Sequence, residues 1–112
     1  MRVGLTGSAK GGDADQERVL RELLTSFRPA EFHHGDCVGI DELGHNIALE
    51  LRDRADNALG WPKIYIHPPV KSTQRAFCRG ADVVYPLKPY LDRDKDIAAV
   101  DVLIAVPEGP EA

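Results

Sequence analysis

Five short strand-like runs, each too brief for a helix, alternate along this chain with segments whose apolar residues recur at helical spacing. The runs are Arg2–Gly7, Glu31–His34, Lys63–Ile66, Asp82–Tyr85 and Val102–Val106. Between them, Val19, Leu20, Leu23, Leu24 and Phe27 share one helical face, and Ile40, Leu43, Ile47, Ala48 and Leu51 share another. Asp13 and Gln16 stand three apart as a capping box before the first helix, and Pro29 closes it. Two further helices are expected, around Ser72–Arg79 with Ala76 and Phe77 inward, and over Pro89–Val100 with Leu91, Ile97 and Val100 apolar. Strands that are apolar throughout must be covered on both faces, and strand–helix alternation supplies that cover. The expected fold is α/β: a Rossmann-like three-layer sandwich whose mostly parallel sheet has about five strands. Its 112 residues make one domain, 1–112.

Charge narrows the choice of partner. Residues 1–62 carry seven Lys/Arg against eleven Asp/Glu, residues 63–95 seven against three, and residues 96–112 four acids and no base, which gives the net −4. An acidic chain grips duplex DNA poorly, because that grip rests on many phosphate contacts. A local basic stretch inside it suits a small anionic ligand better. No run of apolar residues is long enough for a membrane span, and the first residues enter a strand without a signal peptide's apolar region. Cys37 and Cys78 lie far apart without a CxxC pattern, so a reduced, cytoplasmic setting is expected.

In parallel sheets of this kind, ligands bind beyond the carboxyl ends of the strands, near the switch in strand order. The first strand delivers Gly7, Ser8 and Lys10 to that edge, ahead of Gly11 and Gly12. The second delivers Gly35, Asp36, Cys37 and Gly39, with Asp41 and His45 just inside the following helix. A tight glycine turn opening a helix offers backbone N–H groups at the positive end of the helix dipole, a ready anion site. Arg93, in the first turn of the helix beginning near Pro89, is placed to turn a guanidinium toward a phosphate at the same edge. His33, His34, Asp36, Cys37 and His45 invite a zinc reading. Successive strand residues such as His33 and His34 point to opposite faces, however, so no metal is expected. A histidine at the sheet end bonded to a neighbouring loop is the expected arrangement, and Cys37 is expected to pack in the turn.

Gly39-Ile40-Asp41-Glu42-Leu43-Gly44-His45 resembles the G-[IV]-D-x-x-A-H signature of the DNA-processing protein A (Smf) family. Tyr90-Leu91-Asp92-Arg93-Asp94-Lys95-Asp96-Ile97 looks like that family's F-P-x-R-N-R-x-I segment, and its Arg93-centred part is similar to the R-K pair of the Lonely Guy family. Both belong to the SLOG superfamily of Rossmann-like nucleotide-binding domains. Nearly the whole chain follows, in order, a pattern like that of small, often phage-encoded YspA/YpsA-related SLOG proteins: G-L-T-G-T-R, F-H-H-G-D-C-V-G-A-D, I-H-P-P, R-A-F, P-Y-L-x-R-N-x-x-I and D-V-L-I-A.

The resemblance implies a nucleotide or nucleotide-derived small molecule as ligand. Gly7, Ser8, Gly35, Gly39 and Arg93 would contact it, Lys10 would stand in for an Arg expected in the first loop, and Asp36 or Asp41 would meet ribose or loop hydroxyls. The alternative is a nucleoside 5′-monophosphate phosphoribohydrolase of Lonely Guy type, which cleaves base from ribose 5-phosphate. There Arg93 and Glu108 would be the catalytic pair. The pattern departs in three places. Asp94 replaces an Asn, the first-loop Arg is shifted to or replaced by Ala9-Lys10, and residues 107–112 stand where Lonely Guy proteins carry P-G-G-x-G-T-x-x-E and further elements. The family's C-terminal elements are thus expected to be missing. A further alternative is a single-stranded DNA-binding module, against which stand the acidic balance and only one Trp, three Tyr and three Phe for stacking. The apolar run Val102–Val106, with less cover than the family provides, leads to the expectation of a homodimer or larger homo-oligomer.

Overall fold

A computed structural model describes residues 1–71 and 73–107. Strands β1 (Arg2–Gly7), β2 (Glu31–His34), β3 (Lys63–Ile66), β4 (Val83–Val84) and β5 (Val102–Val106) form one sheet in the order β4-β3-β2-β1-β5. Every pairing is parallel. The helices are α1 (Ala14–Phe27), α2 (Ile40–Arg52) and α3 (Tyr90–Ala98). This is the expected Rossmann-like architecture.

Helix α1 starts where its cap dictates. The Asp13 carboxylate accepts from Gln16 N at 2.8 Å, and Gln16 Oε1 accepts from Asp13 N at 3.1 Å. Helices α1 and α2 cover the face bearing Val3, Leu5, Phe32 and Ile64, and Leu20, Leu24, Ile40, Ile47 and Ala48 complete the core there. Burial of each large side chain contributes about 1.5–3 kcal/mol. Gly44 lets α2 lie close, since a Cβ there would meet Leu5 and Phe32. Helix α3 lies on the other face, where Ile97 and Val100 approach Gly4.

The helix expected around Ser72–Arg79 is not formed. Ser72 lies outside the described residues, and 73–79 run as an irregular strap joined to the β2–α2 turn by an antiparallel bridge between Arg75 and Cys37. Asp36, whose bonds are given below, captures the strap's backbone donors and so removes them from any helix. Phe77, expected inward, is 57% exposed.

Because β1 lies between β2 and β5, the chain winds outward from β1 to β4 and then returns across the sheet through α3. The carboxyl ends of β1 and β5 therefore flank the switch point. Helix α3 makes the return crossing and carries Arg93 to the end of β2.

Candidate functional site

The two glycine turns pack on each other. An added Cβ at Gly7 would collide with the Ile40 side chain, and one at Gly39 (φ 87°) with Ser8 O and Ala9 O. Ser8 O accepts from Ile40 N and Gly11 N, each at 3.2 Å. Both turns are thus small-residued because they interlock. Most of their amides already have acceptors within the chain. Gly35 N and Cys37 N donate to Asp41 Oδ2 at 3.2 and 3.3 Å, Asp36 N to His34 Nδ1 at 2.9 Å, and Val38 N to Gln74 O at 2.8 Å. In the first turn, Ser8 N donates to Val106 O, Lys10 N to Ser8 Oγ and Gly12 N to Gln16 Oε1. Whatever anion affinity the edge has must therefore come mainly from side chains.

Four expected site residues do converge. Arg93 is 4% exposed, and its guanidinium occupies the space above Gly35, where an added Cβ would overlap Nη1. Its Nη2 donates to Cys37 Sγ at 3.4 Å, and its Nε lies 3.4 Å from Asp94 Oδ1. Asp41 sits beside the same spot. Its Oδ2 takes the two turn amides, and its buried Oδ1 has no hydrogen-bond partner among the described residues. Burial, opposed by those amides and by Arg93, pushes the Asp41 carboxyl up to about 6. Lys10 is exposed at the rim, and Glu108 lies outside the described residues.

Asp36 is engaged elsewhere. Buried in a left-handed conformation (φ 57°), it accepts from Arg75 Nε at 2.8 Å through Oδ2 and from Cys78 N at 2.8 Å through Oδ1. The Arg75 contact is a component of the edge that the linear sequence did not disclose, because 39 residues separate the partners.

The histidines form two separate pairs, one per face. On the α2 face, Asp36 N donates to His34 Nδ1, His34 Nε2 lies 2.8 Å from His45 Nδ1, and His45 Nε2 donates to Arg79 O at 2.7 Å. An amide can only donate and a carbonyl only accept, so the tautomers are fixed. His34 carries its proton on Nε2 and His45 carries its own on Nε2. Burial and the neighbouring histidines hold the His34 pKa well below the usual value. On the α3 face, His33 Nε2 donates to Glu31 Oε1 at 2.9 Å, and His33 Nδ1 lies 2.8 Å from His67 Nε2. His33, Tyr65, His67 and Tyr85 stack there, with Tyr65 on His33 and Tyr85 on His67 at centroid distances of 4.6 and 4.5 Å.

His34, His45 and Cys78 bring one ligand atom each within 4.8 Å of one another. The donor set does not fit a metal. An ion would have to replace the Nε2 proton of His34 while the Asp36 amide still points its hydrogen at Nδ1, which requires an imidazolate. Burial and Asp36 also raise the Cys78 pKa, which opposes the thiolate a metal needs. His45, which bonds a neighbouring loop through Arg79 O, lies on α2 and not at a strand end, while the sheet-end His34 accepts from Asp36 in the turn after its own strand.

Comparison of the chain with models of protein families, with curated proteins and with solved structures finds no match. Fold and site together define a class: a doubly wound α/β domain with a desolvated Arg–Asp–Cys cluster at the carboxyl edge of its sheet. Among the described residues, no helix is long and apolar enough to cross a membrane.

Proposed function

We propose that this domain binds a nucleotide or nucleotide-derived small molecule at the carboxyl edge, with Arg93 as the countercharge to its anionic end. The observation that carries this reading is the guanidinium itself, held 4% exposed over Gly35 beside a carboxylate oxygen that has no hydrogen-bond partner among the described residues. Removing an arginine from water costs several kcal/mol, and a well-packed apolar side chain would stabilise the same spot at least as well. A charge kept there under that penalty suits recognition of a ligand. Asp41 Oδ1 offers an acceptor for a sugar hydroxyl. The likeness of the 35–45 and 89–97 segments to SLOG motifs supports the same reading.

Calorimetric titration with AMP, GMP and ADP-ribose tests it. Micromolar binding is expected, weakened by roughly tenfold or more in Arg93→Ala, the size of a lost charge-assisted hydrogen bond. A wild-type protein that binds none of these ligands overturns the reading.

The wider setting belongs to the same proposal. Cys37 and Cys78 are not joined in a disulfide, which suits a reducing cytoplasm. Strand β5 borders the sheet with Leu103 44% exposed, which supports a homodimer or larger assembly. Sedimentation that stays monomeric at every concentration would exclude the assembly.

A further inference from the structure

The strap over 73–79 holds one residue in a conformation that its own chemistry disfavours. Phe77 has φ 54°, in the left-handed region, and its ring is 57% exposed. A bulky residue is strained there, and glycine would relieve both the strain and the exposed apolar surface. The neighbours enforce the conformation. Asp36 O accepts from Ala76 N at 2.7 Å, and Asp36 Oδ1 accepts from Cys78 N, so one buried residue grips the chain on both sides of Phe77. Arg75, ion-paired with the same carboxylate, lays its guanidinium 4.5 Å from the Phe77 ring centroid. One ring face is thereby backed by a cation.

Cys37 connects this ring to the candidate site. Its thiol accepts from Arg93, and its backbone bridges to Arg75, two residues before Phe77. Cys37 thus touches both the Arg93 guanidinium, through its thiol, and the strap that carries Phe77, through its backbone.

We propose that Phe77, backed by Arg75, is the platform on which the planar base of the ligand stacks while its phosphate meets Arg93. The proposal rests on the nucleotide-binding reading above and adds what recognises the base. Stacking tolerates any base, since each has a π-face, and a cation beneath the ring suits an electron-rich purine above it.

The test is calorimetric titration of the full chain with AMP and with ribose 5-phosphate, which lacks the base. Wild type is compared with Phe77→Ala, Phe77→Gly and Phe77→Tyr. AMP is expected to bind roughly tenfold or more weakly to Phe77→Ala and Phe77→Gly and normally to Phe77→Tyr. Ribose 5-phosphate should bind all four proteins within about twofold. Phe77→Gly should unfold at a denaturant concentration no lower than wild type, which separates lost stacking from lost structure. AMP affinity unchanged in Phe77→Ala overturns the platform, and so does equal weakening of both ligands. Ribose 5-phosphate bound by wild type as tightly as AMP has the same consequence. If wild type binds neither ligand, the nucleotide reading fails and the platform with it. Tight AMP binding indifferent to Phe77 sinks the platform alone.

Discussion

The two ends of the sheet are built from different materials. At and beyond the carboxyl ends lie Asp36, Asp41, His34, His45, His67 and Arg93, all buried and nearly all tied into hydrogen bonds. At the amino ends lies a cavity of about 420 Å³ lined by Leu24, Leu51, Leu59 and Trp61, with polar groups at its rim. Buried polar groups persist only where each finds a partner, so the carboxyl edge is over-determined and unforgiving. The amino edge is held by apolar contact and exposed ion pairs, which tolerate change. The hollow at the amino edge is therefore not the better functional candidate. Desolvated charge at the switch-point edge marks the site more sharply than volume does.

A pair of glycine substitutions sets the two ends against each other. Gly35→Ala drives a methyl into the space of the buried Arg93 guanidinium, which must swing aside, and should cost about 2–3 kcal/mol in urea unfolding. Gly60→Ala, at the amino end, meets nothing within 4 Å and has only its φ of +67° to resist it, so about 1 kcal/mol is expected. Equal costs would erase the contrast. Asp36→Asn removes the charge that fixes Arg75. It should cost about 2 kcal/mol and speed hydrogen exchange at the Ala76 and Cys78 amides. Protection left intact at both amides would show that the strap is held by something else.

Acid stability sharpens the comparison further. The Asp41 carboxyl lies at about 6 when folded, above its ordinary 3.8. Its contribution is present below about 4 and lost as pH rises through 6. Burial lowers His67 to about 4 and His34 well below its usual value, so their contributions are present above about 6.5 and lost as pH falls toward 4. The two trends oppose each other in wild type. Asp41→Asn leaves the histidines alone, and its stability should fall more steeply between pH 6.5 and 4, by about 2 kcal/mol across the window. Parallel curves for the two proteins would refute the assignment. The smallest effect belongs to the amino edge. Arg54→Ala breaks an exposed pair with Asp56 and should leave the unfolding midpoint unchanged.

Most of the architecture was legible because it is written locally. The boundaries of β1, β2, β3 and β5 coincide with the strand-like runs read from the sequence, and the Asp13–Gln16 cap opens α1 as its spacing requires. The 73–79 strap was illegible because its conformation comes from Asp36, some 40 residues away, and periodicity carries no trace of that bond. At the candidate site, the sequence pointed to residues that do meet, with Arg93 over Gly35 and against Cys37. It misread why the turns are rich in glycine. Ile40 and the facing turn occupy the room, and the amides thought open to an anion are engaged within the chain.

The fit of Arg93 into the space above Gly35 constrains how this protein can change over generations. Position 35 admits no side chain while residue 93 is an arginine in that pose. Once residue 93 shortens, the hollow opens and position 35 is released. The order of substitution then matters for the fold: a change at 35 first must displace the buried guanidinium, and a change at 93 first need not. Descendants of this chain should show the two positions altering together, and laboratory selection from random libraries should recover substitutions at 35 mainly in clones that have already lost the guanidinium.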